Sequence, residues 1–246
     1  MGTTDPYNDF AERYDQMKPD NPARRDFFAK LFGDGGVNSV LDCACGTGFD
    51  LLMFKEMGFD ATGSDVSESM LGVAREKISK SGADIEIRQS DFLEIHNAFD
   101  RSFDAVVCLG NSINEVHDDE KISGALVNWG EVLNDRGLIV FDQGQTDASM
   151  VNPPKFAPVV NDRDFTRAFS MEYENRIMTV HVLDFIHTEE ITDFRHSSHE
   201  IKIRLVDDWS EIVDRSGYNH VEFFGDWNFM PYDKTSSKRL ICVIRT

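Results

Sequence analysis

The stretch Val40-Leu41-Asp42-Cys43-Ala44-Cys45-Gly46-Thr47-Gly48-Phe49-Asp50 constrains this chain more than any other. Apolar residues lead into it and two glycines follow, one residue apart. Leu51 to Met57 then reads as a helix closed by Gly58. Strand, tight glycine turn, helix is the opening of an α/β nucleotide-binding unit. The glycines let the backbone approach a ligand with no Cβ in the way. The next apolar segment, from Phe59, ends at Asp65. An acid about twenty residues beyond the turn, at the tip of a second strand, is placed to grip a ribose diol.

The choice of nucleoside follows from what surrounds the glycines. A dinucleotide fingerprint wants a third glycine, and Leu51 holds that position. It also offers helix N–H groups to a pyrophosphate. Asp42, just before the turn, repels phosphate and welcomes a cation. S-adenosylmethionine has a ribose diol, an ammonium, a sulfonium and no phosphate, so it suits these residues better than NAD or ATP.

The segment resembles motif I of the class I S-adenosylmethionine-dependent methyltransferases, D-x-G-x-G-x-G in that family, with Ala44 here at the first glycine. The Ala-Cys-Gly-Thr-Gly variant is similar to the glycine N-methyltransferase branch of small-molecule methyltransferases. Val107-Cys108-Leu109-Gly110-Asn111-Ser112 is a second, more specific match to that branch. The resemblance implies an α/β fold: a Rossmann-like, mostly parallel seven-stranded sheet with helices on both faces. It also implies an antiparallel β insertion covering the active site. The implied cofactor is S-adenosyl-L-methionine, leaving as S-adenosyl-L-homocysteine.

Composition narrows the acceptor. Of 246 residues, 41% are apolar, enough for one large domain, and the formal net charge is -19. An enzyme acting on nucleic acid needs Lys and Arg against phosphates, yet the only basic pairs are Arg24-Arg25 and Lys238-Arg239. No nucleic-acid partner is expected. No apolar run reaches membrane-spanning length, so no membrane partner is expected either. The N-terminus lacks a secretory pattern, and a cytoplasmic location is the expectation. Cys43, Cys45, Cys108 and Cys242 fall in or beside buried strands. They read as small apolar residues of a reduced cytosol. His181, His187, His196 and His199 crowd one region, but with no helical metal-binding spacing. No metal is expected.

Taken in order, Tyr7 to Phe32 reads as helical with a break at Asn21-Pro22. The resemblance sends a tyrosine and an arginine from here to the methionine end of the cofactor: Tyr14, with Arg24 or Arg25. The alternative for each is a helix that only caps the sheet. Ser67 caps a helix running to about Lys80, in which Met70 is either core or adenine contact. Val66 joins Asp65 in the cofactor-binding set, along with Asp42, Ala44, Cys45, Gly46 and Gly48. A third strand covers 85–87. After it, Asp91 and Phe92 match the family's adenine site, Asp91 as acceptor for the exocyclic amine; a solvated loop acid is the other reading.

A fourth strand over 102–109 delivers Leu109, Asn111 and Ser112, which the resemblance places on the cofactor and its reacting end. His117 reads as substrate ligand or base, or as decoration of the following helix start. That helix passes Trp129, turns over 134–137, and gives a fifth strand over 138–142 with Asp142 at the pocket rim. From 143 to 205 the βαβ pattern stops and alternating aromatic runs suggest an antiparallel substrate cover. Residues 1–142 and 206–246 form the cofactor-binding domain. A helix from Asp207 is ended by Gly217, and strands over 218–224 and 240–244 follow. The loop between them carries Tyr232, which matches a tyrosine lining the substrate site. The catalytic candidates are Asn111, His117 and Tyr232, with Ser112 and Asp142 beside them.

The resemblance implies N-methylation of a small amine or amino acid. The arginine that pairs with a glycine carboxylate in the family is Gly144 here; Arg163, Arg167 or Arg195 are substitutes, unless the acceptor lacks a carboxylate. The alternatives are O-methylation or other small-molecule methylation, a binding module without turnover, and a nucleic-acid or protein methyltransferase. A homo-oligomer is possible.

Overall fold

A computed structural model gives the fold and describes residues 7, 11–18, 21–189 and 192–246. Seven strands form the main sheet in the order β10-β11-β5-β4-β1-β2-β3. β1 (Ser39–Asp42) is an interior strand, flanked in parallel by β2 (Asp60–Asp65) and β4 (Phe103–Cys108). Val40, Leu41, Val106 and Val107 are fully buried, as expected of strands covered on both faces. β3 (Glu86–Gln89) continues the parallel set on one side and β5 (Leu133–Gln143) on the other. β11 (Leu240–Arg245) runs antiparallel to β5 and to the edge strand β10 (Val221–Phe224).

Helices cover both faces. On one lie α1 (Pro22–Gly35), α2 (Phe49–Glu56) and α3 (Glu68–Ser81). Asn21 caps α1 by accepting the Arg24 N–H at 3.3 Å, and Pro22 fits the first turn, where its missing N–H costs nothing. Phe28 meets Phe54 of α2 edge-on at 5.1 Å and leans on Trp227 at 5.7 Å. The other face carries α4 (Asp119–Glu131) and α6 (Val206–Arg215), with Trp129 and Trp209 fully buried. α2 packs closely enough that a Cβ on Gly63 of β2 would sit 2.5 Å from Leu51 Cδ1 and 2.9 Å from Cys45 Sγ.

After β5 come α5 (Asp147–Val151) and an antiparallel four-stranded sheet: β6 (Phe156–Asn161), β7 (Phe165–Glu174), β8 (Ile177–His187) and β9 (Thr192–Lys202). Its inner face, with Met171, Val180 and Ile201, packs against Ala11, Tyr14 and Met70. Two buried arginines fasten it. Arg167 makes a two-pronged bond to Asp184 at 2.7 and 2.6 Å and donates to the Arg13 carbonyl at 3.2 Å. Arg204 donates to Asp119 at 2.8 Å, the Val116 carbonyl at 2.8 Å and Asn114 Oδ1 at 3.2 Å.

Several boundaries differ from the sequence reading. The N-terminal region is a 3-10 turn, Ala11–Met17, then α1, rather than one broken helix from Tyr7. Residues 134–137 belong to β5 because Leu133 already pairs with Phe103, while Arg136 turns left-handed at φ 64° to pass the irregularity. α5 and β6 were not foreseen. β10 starts at Val221, since the Tyr218 hydroxyl is drawn to the Leu126 carbonyl at 2.8 Å. Among the described residues no helix is long and apolar enough to cross a membrane.

Gly63→Ala should lower stability by about 1–3 kcal/mol through overpacking. Gly72→Ala inside α3, where a Cβ meets nothing within 4 Å, should raise it by about 0.5–1 kcal/mol. Urea midpoints compared with wild type test both; equal effects at the two sites would refute the close approach of α2.

Candidate functional site

The carboxyl ends of β1, β2 and β4 converge, and the turn after β1 is stitched between its neighbours. Cys43 N–H donates to the Val107 carbonyl and Cys45 N–H to the Ser64 carbonyl, each at 2.9 Å. Ala44 N–H donates to Asp42 Oδ1 at 3.2 Å, Gly46 N–H to Asp65 Oδ2 at 2.8 Å, and Gly48 N–H to the Cys45 carbonyl at 2.9 Å. Gly48 starts α2 at φ 73°, and a Cβ there would lie 3.2 Å from that of Ala74. Asp65 Oδ1 also accepts the Ser67 N–H at 2.9 Å, so its carboxylate is pinned from both sides.

These bonds decide what the turn can hold. The amides of residues 43–46 and 48 all have protein acceptors. The turn therefore does not present the cradle of N–H groups that binds phosphate. Beside it stands the Asp65 carboxylate.

A cavity opens beside it. The turn contributes Ala44 and Gly46, the tip of β2 contributes Asp65 and Val66, and α3 contributes Met70. Phe92 lines it from beyond β3, Leu109 and Ser112 from beyond β4, and Tyr14 from the N-terminal 3-10 turn. Nine of the residues singled out in the sequence thus line one space. Four others are Tyr7, Lys18, Cys43 and Glu115.

The remaining candidates stand elsewhere. Asp42 and Cys45 are buried beneath the turn. Asp91 is exposed and caps the turn Phe92–Asn97 by accepting the Leu93 N–H at 2.9 Å. Asn111, left-handed at φ 74°, accepts the Gly144 N–H at 2.8 Å and so fastens the end of β4 to that of β5. Asp142 accepts the Gly110 N–H at 2.8 Å and pairs with Arg239. The structure does not bring His117 or Tyr232 to the cavity. His117 lies 4.0 Å from Glu200 of β9, and the Tyr232 hydroxyl donates to Asp147 at 2.8 Å, where burial raises its pKa. Arg25 pairs with Glu56. Arg167 is committed to Asp184 and Arg195 to Asp193.

Asp50 organises the charge. It is buried in the first turn of α2, 2.7 Å from Arg24 Nη1 and 3.5 Å from Lys18 Nζ. Burial pushes its carboxyl up, but Lys18 and then Arg24 outweigh this and hold it below the usual range. Lys18 Nζ sits 5.1 Å from the Tyr14 ring centroid and 5.6 Å from that of Phe49. Burial pulls its pKa down; Asp50 chiefly, with Tyr14 and Asp42, lifts it above normal. Arg24 lies over the Trp227 ring at 5.3 Å. Asp42 has only a backbone amide as hydrogen-bond donor, so burial, and next the charge of Asp50, push it up to about 8. Burial also raises the Cys43 and Cys45 thiols, which suits packing rather than reactivity. Among the described residues, no three His, Cys, Asp or Glu side chains gather to hold a metal.

Sequence reasoning missed Lys18, Asp50 and Glu115. Asp50 carried the one usable signal, an acid at a helix N-terminus.

Residues 40–137 match a family described as methyltransferase domain. The glycine/sarcosine N-methyltransferase of Parasynechococcus marenigrum (strain WH8102) is 33% identical over 142 residues, 56% of this chain and 50% of that protein. The chain thus spans about half the length of this curated relative. The putative methyltransferase YqeM of Bacillus subtilis (strain 168) is 28% identical over 216 residues, covering 86% of each chain. A solved S-adenosylmethionine-dependent methyltransferase from Clostridium acetobutylicum superposes with a TM-score of 0.83 at 19% identity, over 97% of this chain and 98% of that one.

An acid whose pKa is raised in the folded state favours folding while protonated. For Asp42 that contribution is present below about 4, its unfolded value, and is lost as pH climbs through about 8. Asp42→Asn should therefore gain stability relative to wild type across that window, on the order of 2 kcal/mol once the opposing pull of Asp50 is allowed for. Urea midpoints of both proteins at mildly acidic and mildly alkaline pH test this; a gap independent of pH would contradict it.

Proposed function

We propose, from the match of residues 40–137 to a methyltransferase domain, that the chain moves a methyl group from S-adenosylmethionine onto a small molecule. The observation that carries this is the occupied set of turn amides beside Asp50 and Asp65. A phosphate finds the amides of residues 43–46 and 48 already taken, and a cation finds the Asp65 carboxylate at the cavity wall. Lys18 demonstrates the preference, because its ammonium already stands at the cavity against Asp50. The residues present therefore fit an amino-acid-bearing sulfonium nucleoside.

The cofactor, when bound, supplies a methyl group activated by the positive sulfur. The chain's own residues bind and orient. Asp65, held rigid by two backbone amides, takes the ribose diol. Val66, Met70 and Phe92 flank the adenine. Tyr14 closes the methionine end, and Arg24 acts there through Asp50 rather than by direct contact. Ser112 and the Leu109 carbonyl face the reacting end. Asn111 serves as a positioning residue, because its side chain is spent on Gly144. Residues 143–205 cover the acceptor from above Tyr14 and Met70. Enclosure excludes water and fixes the in-line approach.

The acceptor we favour is a small amine or amino acid. The likeness to a glycine/sarcosine N-methyltransferase supports it. A second reading, an acceptor without a carboxylate, draws on the arginines: Arg167 and Arg195 already have acidic partners.

Calorimetry should register binding of S-adenosylmethionine and S-adenosylhomocysteine but not of NAD or ATP. Asp65→Ala should weaken that binding about tenfold or more, as expected for loss of charged hydrogen bonds. A screen of amines, amino acids and small hydroxy compounds for S-adenosylhomocysteine release then identifies the acceptor. Indifference to both nucleosides, with uptake of a phosphate ligand, would overturn the proposal.

A further inference from the structure

One charged group at the cavity is unused by the reading above. Glu115 ends the 3-10 turn Ser112–Glu115, in which residues three apart eclipse one another. Ser112 and Glu115 are such a pair, and both line the cavity. The other side of the same segment is fastened to β5: Asn111 takes the Gly144 amide at 2.8 Å, and Asn114 donates to Gln143 Oε1 at 2.8 Å. The turn is thus held by its asparagines while it offers a hydroxyl and a carboxylate to the open space.

We propose that Glu115 receives the acceptor as a cationic amine and takes its proton, with the Tyr7 hydroxyl, which donates to the carboxylate, holding it in place. This rests on the methyl-transfer reading and deepens it. It names the acceptor class as an ammonium that still carries N–H. The ammonium and carboxylate first form an ion pair. One N–H bond then breaks as one O–H bond forms. A positive amine and a negative carboxylate become a neutral amine with a free electron pair and a neutral acid. The acid later gives its proton to water.

The surroundings suit that task. Burial raises the Glu115 carboxyl above normal, Tyr7 pulls it back, and Asp65 adds to the rise. A carboxyl shifted upward is the better base near neutral pH. Tyr7 and Tyr14, Lys18 and Asp65 are the other titratable groups that line the same cavity, with Cys43 behind the turn. Lys18 faces Asp50. Asp65 is occupied by the amides of Gly46 and Ser67.

The test titrates n-propylammonium and sarcosine, by calorimetry, into protein saturated with S-adenosylhomocysteine. Glu115→Gln keeps an oxygen for Tyr7 but removes the charge. It should weaken ammonium binding about tenfold or more while leaving S-adenosylhomocysteine affinity unchanged. Glu115→Asp should recover part of the loss. If the glutamine variant also loses the nucleoside, wild type decides alone: propan-1-ol, the neutral shape of the first probe, must bind about tenfold more weakly than n-propylammonium. Equal binding of the ammonium by wild type and Glu115→Gln, or of the alcohol and the ammonium by wild type, overturns the assignment. So does a wild type that binds S-adenosylhomocysteine but neither ammonium, and that result leaves the methyl-transfer reading standing. Failure to bind the nucleoside itself sinks both.

Discussion

The bond from Gly46 N–H to the Asp65 carboxylate ties the tip of β1 to the tip of β2. Both partners depend on it in different ways. The glycine turn needs acceptors for amides that lie at the end of a buried strand, where an unmet N–H is costly. The carboxylate needs donors that fix its direction before any ligand arrives. One contact satisfies both, and the Ser67 amide completes the second oxygen. The close approach of α2 to Gly63 then sets the helix against this pair and brings Asp50 under the turn. Chemistry at the cavity is consequently decided by backbone geometry as much as by side-chain choice.

Charge in this molecule is arranged by depth. The net charge of -19 is spread over a solvated surface, where it is screened and steers partners weakly. Among the described residues most buried charges are paired within reach: Asp50 with Arg24 and Lys18, Asp142 with Arg239, Arg167 with Asp184, Arg204 with Asp119. Such pairs add little net stability but are expensive to break singly. Here they join parts distant in sequence. Arg167 links β7 to the N-terminal turn through the Arg13 carbonyl. Arg204 and Gln143 connect the return from β9 to the ends of β4 and β5, with the Trp209 indole N–H also donating to Gln143 at 2.8 Å. The four-stranded sheet is thereby coupled to the strands that line the cavity.

The legible part of this chain was the part governed by local rules. Glycine spacing, strand periodicity and the acid at Asp65 announce a βαβ unit, and the order of the central strands follows. Most of the cavity wall was legible for the same reason, since it consists of strand ends. Lys18 and Glu115 were not, because their meaning arises from the proximity of segments far apart in the chain, 32 residues for Lys18 and Asp50 and 108 for Tyr7 and Glu115. His117, two residues beyond Glu115, looked the better candidate by chemistry. The turn Ser112–Glu115 sets Glu115 on the cavity wall and leaves His117 beside Glu200. Tyr232 was drawn off by the α5 turn, which had no clear pattern of its own.

Lys18 links these themes. Its ammonium, between Asp50 and the rings of Tyr14 and Phe49, meets the same demand that a ligand ammonium would meet. An acid cluster under a strand tip is unfavourable without a counterion, and Asp42 shows the strain by holding its proton to about 8. Lys18 and Arg24 ease that strain, since both pull the Asp42 pKa back down. The inner face of the four-stranded sheet, packed on Tyr14 and tied to the Arg13 carbonyl, holds the N-terminal turn, and with it Lys18, against the cavity.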